Sequence, residues 1–370
     1  LGVRRGIPEP IIIRRSLGQR TVASGSDAVA MGQDTEASGT KAVAMGLETT
    51  ASGFHSLAMG SGAIANNNQS VAMGQDPKSS GANAFAMGRK TEATANNAIA
   101  MGNETLASAG KAFAVGSRTV ASGNQSTAMG TNTLASSGSA VAMGLKTQAS
   151  GAESVAMGRG TTAQPKASLA IGQWNTVSGD KTSWIATDPL LIAGNGGHSG
   201  DRSNALLLRK NGNMTIAGNL TENSDRRLKT DIQEIGSVLD ELETVDPVRF
   251  RFKKGTGHPE DPQIGLIAQE VQKNFPELVS KGSDGYLSLA YPKLTAVLLK
   301  GLQEQQSTIE KVKTENEKIQ ARLSALESKV SDVPAATAGL TSSWLLVFGL
   351  GLGLGGAIGL LVRRRADEQS

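Results

Sequence analysis

Through the first half of the chain, small and bulky apolar residues alternate in short runs that return every fourteen residues. In Ala28-Val29-Ala30-Met31 and its copies, the positions equivalent to 28 and 30 stay small: Ala28 and Ala30, Ser56 and Ala58, Ala84 and Ala86, Ser154 and Ala156. Those equivalent to 29 and 31 are nearly all bulky, as in Val43 and Met45, Leu57 and Met59, Phe85 and Met87, and Phe113 and Val115. Neighbouring side chains on a strand point to opposite faces, so each run predicts a strand with one thin and one thick face. A glycine follows each run, from Leu17-Gly18 and Met31-Gly32 through Met157-Gly158 to Ile171-Gly172. Ala-Ser-Gly recurs at the same interval, at Ala23 to Gly25, Ala37 to Gly39, Ala51 to Gly53, Ala121 to Gly123 and Ala149 to Gly151. Two glycines per repeat suit tight turns that need φ > 0. Between such turns there is room for two strands of about four or five residues, which predicts a β-solenoid rather than stacked helices.

A coil this short has a narrow interior that suits Ala and Ser, so the thick Val/Met face is expected to point outward. Left in water it would form one hydrophobic stripe larger than monomers tolerate, which predicts a homo-oligomer with that stripe at the subunit interface. A metal or redox role for the methionines is the weaker reading, because thioethers at a fixed structural period pack. The repeat, Ser/Ala-Val-Ala-Ile/Met-Gly followed by Ala-x-Gly, resembles the YadA-like head of trimeric autotransporter adhesins over about residues 17–178. That resemblance implies a trimeric left-handed parallel β-roll, about 55 Å long at ~4.8 Å per stacked strand. The chain departs from that family in that no four-stranded outer-membrane translocator follows the head, so the resemblance does not extend to the export route.

After Gly179 the repeat stops, and the aromatics other than Phe54, Phe85 and Phe113 all lie beyond residue 172. Between Trp184 and Leu220, apolar runs at Pro189 to Ala193, Ala205 to Leu208 and Met214 to Ala217 are separated by Gly-Asn turns, a pattern of β-hairpins. Next come a charged segment, Glu222-Asn223-Ser224-Asp225-Arg226-Arg227-Leu228-Lys229-Thr230-Asp231-Ile232, and a helical stretch, Ile235 to Val245. They are followed by the alternating strand Pro247 to Phe252, then Gly265-Leu266-Ile267-Ala268-Gln269-Glu270-Val271, and a long helix from about Pro292. Taken alone, the charged segment reads as a solvated loop. In this order the motifs resemble the C-terminal intramolecular chaperone of endosialidases and phage tail fibres, peptidase family S74, also found in myelin regulatory factor, over about residues 222–305.

The resemblance implies an α+β chaperone that assembles the trimer and then cuts itself off between Asn223 and Ser224. By it, Ser224 matches the nucleophile and Lys229 its base, with Asp225 where some relatives have Asn. A serine hydroxyl is a weak nucleophile until a base takes its proton, and a lysine serves only when burial or cationic neighbours favour its neutral form. Arg226 and Arg227 are the cationic neighbours on offer. The expected activity is a single-turnover serine autopeptidase acting in cis, with no other enzymatic activity.

From Leu298 a heptad pattern places Leu302, Ile309, Asn316, Leu323 and Val330 at a, and Leu298, Gln305, Val312, Ile319 and Leu326 at d. Mixed β-branched residues at both positions are compatible with a three-stranded coiled coil, with Asn316 and Gln305 fixing its register. A single amphipathic helix on a globular domain is the plainer alternative. Trp344 to Val362 is a stretch of nineteen uncharged residues followed by Arg363-Arg364-Arg365, which predicts a transmembrane helix with residues 363–370 in the cytoplasm and everything upstream outside it. Gly349, Gly351, Gly353, Gly355 and Gly359 give it small-xxx-small spacing. The rival reading is a sorting signal removed by a processing enzyme, although no LPxTG motif is present. Because the chain begins at Leu1 and residues 1–20 are not a signal peptide, an N-terminal segment is expected to be missing.

The expected organisation is multidomain, mainly β and then α. It comprises an N-terminal segment (1–16), a head β-roll (17–178), a β-hairpin junction (179–222) and a chaperone domain (223–297). A coiled coil (298–332), a linker (333–343), a transmembrane helix (344–362) and a basic cytoplasmic tail (363–370) complete it.

Composition narrows the chemistry. The absence of cysteine excludes disulfides, thiol nucleophiles and cysteine-zinc sites, and His55, His198 and His258 show no metal-ligand spacing, so no cofactor or metal is expected. A net charge of +4 over 370 residues, with no nucleic-acid-binding signature, gives no reason to expect DNA or RNA. The sequence therefore reads as a trimeric cell-surface fibre or adhesin with a self-cleaving chaperone. Its expected partners are two copies of itself, a membrane through residues 344–362, and a surface ligand on a host cell, matrix or glycan. A phage or prophage tail fibre is the alternative. A glycan hydrolase is the least supported, lacking paired carboxylates and an aromatic sugar platform.

Overall fold

The computed structural model describes residues 15–331. They divide into two compact units, one reaching Lys229 and including Arg249–Gln263, the other formed by Thr230–Val248 and the chain from Ile264 onward.

In the first unit a five-residue strand recurs once per repeat, from Arg15–Gln19 and Val29–Gln33 to Leu169–Gln173, and stacks in parallel on its equivalent fourteen residues later. Like meets like: Val29 faces Val43, Ala30 faces Ala44, Met31 faces Met45 and Gly32 faces Gly46. A second strand, such as Glu36–Ala37 or Thr50–Ala51, builds a separate eleven-stranded parallel sheet. The fold is thus a β-solenoid of eleven two-stranded turns. The sequence suggested two strands of similar length, but the second has only two residues. The chain bends immediately after Ala37, where the N–H groups of Ser38 and Gly39 both donate to the Ala51 carbonyl, at 3.0 and 3.2 Å.

The glycines also differ from expectation. Gly32 has φ +124° but lies inside the long strand, not at a corner. A Cβ there would sit 2.0 Å from the Gly46 carbonyl oxygen. Gly39 has no positive φ, yet its Cβ would fall 2.0 Å from the oxygen of Gly53. What these positions require is close approach of one turn to the next. Most of the left-handed corners are instead occupied by polar residues, among them Asp27, Lys41 and His55 in one column and Asp34, Glu48 and Asp76 in the other, where Gly62 and Gly160 also sit. Asp and Asn tolerate that conformation through local hydrogen bonding.

The thin face points inward. Ala30, Ala44, Ala58 and Ala72 are fully buried, as are Ala37, Ala51 and Ala65 from the short strands. At several positions where serine replaces alanine, its hydroxyl turns back to the backbone three residues earlier, as Ser56 Oγ does to the Gly53 carbonyl at 2.8 Å, whereas the Ser126 hydroxyl has no partner. A column of buried threonines, including Thr105, Thr119 and Thr133, completes the interior, and their hydroxyls have no partner. The thick face, including Val43, Met45, Phe85 and Met87, points outward and is half-buried by its own neighbours in the stack.

At its C-terminal end the long sheet does not stop with the repeat. Leu169–Gln173 pairs in parallel with Pro189–Asn195, which places Ile192 in the alanine column. Only then do the antiparallel pairings of Asn204–Arg209 and Met214–Ile216 follow. The expected hairpins are therefore antiparallel additions to the solenoid's own sheet.

The short sheet ends at Thr162–Ala163, where Asn175, wholly buried, lies against it. Next to Asn175, the Trp174 ring fills the space over Gly160, where a Cβ would meet it at 2.2 Å. Arg202 lies over that ring at 5.2 Å and donates to the carbonyls of Gly160 and Asn175, at 3.1 and 3.0 Å.

In the second unit a small core of Val238, Val271, Phe275, Leu278 and Val297 forms between short elements and the base of a long helix, Tyr291–Ser331. The expected helix over 235–245 shrinks to Leu239–Leu242. Its first turn is held by Glu304 of the long helix, whose Oε2 accepts from Val238 N and Ser237 Oγ, both at 3.1 Å, and from Leu239 N at 3.3 Å. These bonds, backbone Val238 N–H foremost, hold the Glu304 carboxyl below its ordinary pKa. The segment from Gly265 to Val271 is expressed as a strand, Gln263–Gly265, and a helix, Ala268–Asn274.

Along the long helix the apolar heptad residues are uncovered, with Leu302 at 62%, Ile309 at 60% and Leu326 at 60% exposure. Among the described residues no helix is long and apolar enough to cross a membrane, and Trp344–Val362 lies outside them.

Candidate functional site

The segment that the sequence singled out is brought together by one tight turn. Asp225 and Lys229 are both extended, with ψ 132° and 141°, and between them Arg226–Leu228 forms a single 3-10 turn. That turn reverses the chain enough for Lys229 Nζ to donate to Ser224 Oγ at 2.7 Å. An extended chain would separate residues five apart by roughly 16 Å. The turn is closed by Leu228 N–H to the Asp225 carbonyl and Lys229 N–H to the Arg226 carbonyl, both at 3.1 Å.

Asp225 holds the turn through its side chain as well. Its Oδ1 accepts from Arg227 N at 2.9 Å and from Arg227 Nε at 3.1 Å, while Oδ2 accepts from the terminal guanidinium nitrogen at 2.7 Å. The Arg227 side chain beside it, with its backbone N–H, holds the Asp225 carboxyl below the usual range, and the same pairing raises the guanidinium's pKa. Of the two cations proposed to flank Lys229, Arg227 is therefore already paired. Ser224 and Lys229 are both exposed in the single chain. Asn223, whose carbonyl precedes Ser224, is exposed too.

Sequence reasoning passed over the Asp225 clamp. The available signal was an aspartate immediately before a short helical turn, the position from which a side-chain oxygen accepts an N–H two residues on.

A second feature is an apolar groove of about 570 Å³ in the chaperone unit, lined by Leu242, Val245, Ile264, Val271, Tyr291 and Leu298 among others. Tyr291 and Leu298 are seven residues apart, so the groove opens onto the same face of the long helix as its uncovered heptad residues.

Comparison with known proteins agrees with this architecture. The YadA head domain repeat matches residues 23–49, 51–76, 79–105, 107–133 and 135–161. The chaperone of endosialidase, peptidase S74, matches residues 224–280. The chain thus carries YadA head repeats followed by a chaperone-of-endosialidase domain, and the latter match begins at Ser224. The chain is also similar to the long tail fiber protein Gp37 of Salmonella phage S16, 33% identical over 106 residues. Those residues are 28% of this chain and 14% of the relative, so the similarity spans a small part of the longer protein.

Proposed function

We propose that this protein is a trimeric fibre or adhesin whose C-terminal chaperone drives assembly and then cleaves the chain between Asn223 and Ser224. The observation that carries the cleavage reading is the 2.7 Å contact between Lys229 Nζ and Ser224 Oγ, at the residue where the chaperone match begins.

Neutral Lys229 accepts the proton of Ser224 Oγ, and the oxygen attacks the Asn223 carbonyl carbon. The new C–O bond forms as the C–N bond to Ser224 breaks, and the proton passes to the departing nitrogen. Water then hydrolyses the ester, leaving a carboxylate on Asn223 and a free amine and hydroxyl on Ser224. The chemistry is that of an activated serine nucleophile, used once per chain. Both groups are exposed in the single chain, so association of three chains supplies the burial that favours neutral lysine, and cleavage follows assembly.

Three uncovered apolar surfaces support the trimer: the Val/Met stripe, the heptad face of the long helix and the groove at its base. Two further copies of this chain cover them. The uncharged run Trp344–Val362 followed by three arginines anchors the downstream fragment in a membrane, and cleavage frees the head. The ligand of the head is a surface component of a host cell, matrix or glycan.

A second reading, a phage or prophage tail fibre with a self-cleaving chaperone, is favoured by the similarity to a phage long tail fibre. It uses the same trimer and the same cut but has no role for the membrane segment.

The test is to produce the full chain beside a Ser224→Ala control and read intact masses and fragment N-termini. A fragment beginning at Ser224 from the wild type alone supports the reading. Whole chain in both samples, with light scattering showing a folded trimer, overturns the autopeptidase and leaves an uncleaved chaperone stalk.

A further inference from the structure

The Ser224–Lys229 contact depends on a turn that has no core beneath it, since none of Arg226, Arg227 and Leu228 is buried. A single 3-10 turn closed by two backbone hydrogen bonds does not persist by itself. What distinguishes this one is the Asp225 side chain, which grips both the backbone N–H and the guanidinium of Arg227.

The same grip bears on a competition. Asp225 lies four residues before Lys229, and a carboxylate that paired with the lysine ammonium would leave it unable to take a proton from serine. Arg227 occupies both carboxylate oxygens. Lys229 Nζ bonds Ser224 Oγ instead.

We propose that Asp225 and Arg227 are paired positioning residues for self-cleavage: Asp225 closes the turn that brings Lys229 to Ser224, and Arg227 keeps Asp225 from capturing Lys229. This inference rests on the self-cleavage reading. It assigns each residue a separable task. Asn at position 225 still caps Arg227 N–H through Oδ1 but cannot hold the lysine charged, whereas Ala does neither. Removing Arg227 leaves Asp225 free to pair with Lys229, and Asn at 225 relieves that fault.

The experiment makes the full chain by timed cell-free synthesis in detergent micelles and follows the fragment beginning at Ser224 by mass across a pH series, with light scattering of each variant. Wild type, Ser224→Ala, Asp225→Ala, Asp225→Asn, Arg227→Ala and the double variant Asp225→Asn/Arg227→Ala are compared. Asp225→Ala is expected to cut at least about tenfold more slowly, and Asp225→Asn within about threefold of wild type. Arg227→Ala is expected to be about tenfold slower with its rate profile displaced to higher pH, and the double variant to recover both rate and profile.

A wild-type chain that stays whole overturns the cleavage reading and this inference with it. A wild type that cuts beside Asp225→Ala and Arg227→Ala trimers that cut equally fast overturns the positioning roles alone. If Asp225→Ala fails to assemble, the comparison of Arg227→Ala with the double variant decides: no recovery refutes the proposal.

Discussion

The side chain of Asn175 bonds to Thr162 as a backbone strand would. Its Oδ1 accepts from Thr162 N at 2.7 Å and its Nδ2 donates to Thr162 O at 2.9 Å, with a further bond to Thr176 O at 2.7 Å. The eleven-stranded sheet thus ends on a side chain that satisfies the edge it would otherwise expose. Asn175→Ala leaves a buried N–H and carbonyl of Thr162 without partners and is expected to destabilise the head by about 2–4 kcal/mol. Loss of hydrogen-exchange protection concentrated at Thr162 and Ala163 checks it, and unchanged protection there refutes the capping role.

Gly88 tests whether close approach, not turn formation, fixes the glycine column. A Cβ at Gly88 would sit 1.9 Å from the Gly102 oxygen, at φ +130°, whereas one at Gly138 would meet nothing closer than 4.0 Å. Gly88→Ala is expected to cost more than about 3 kcal/mol and Gly138→Ala less than about 0.5 kcal/mol. Denaturant unfolding of the two variants decides it, and similar costs for both argue against the steric account.

The threonine column predicts a gain. Thr119 is fully buried and its hydroxyl has no partner, so Thr119→Val keeps the shape while removing an unmet polar group. An increase of about 1 kcal/mol is expected. A lower melting temperature would mean that the hydroxyl is bonded in the folded protein.

Glu304 predicts a pH dependence confined to the chaperone unit. Its carboxyl is held below the ordinary value by the Val238 N–H above all, aided by Ser237 Oγ–H, Leu239 N–H and Lys300. A lowered folded-state pKa contributes stability that is present above the unfolded-state value and lost as pH falls through the folded-state value. Thermal melts of wild type and Glu304→Gln are therefore expected to differ most near neutrality and to converge in acid. A difference that persists undiminished below pH about 3 counts against the latch.

The periodic part of the molecule was the part legible in the sequence. Alternation of Ala30 with Met31 reads directly as inside and outside, and the fixed spacing gives the register. The two-residue length of the strand Glu36–Ala37 was not legible, because the recurring Ala-Ser-Gly marks a turn but not that Ser38 and Gly39 both donate to the Ala51 carbonyl and so end the strand at once. Asn175 and Asp225 escaped for a related reason. Each acts by bonding its side chain to backbone, a role that leaves no repeat and looks in sequence like any polar loop residue. The helix over 235–245 was overestimated because its apolar spacing serves a small core in which Val238 is buried ahead of the helix proper. At the Ser224–Lys229 pair the resemblance pointed to the residues, and the geometry added the turn that joins them.

Each solenoid turn bonds only to the turn before and the turn after, in unchanged register, and the last one is finished by Pro189–Asn195 on the long sheet and Asn175 on the short one. A genetic insertion or loss of one whole repeat therefore changes nothing except reach, by ~4.8 Å, while a slip of one residue would set methionines against alanines at the turn where it falls. The head behaves as a ruler graduated in repeats, and its descendants can lengthen or shorten in whole steps without redesigning either end.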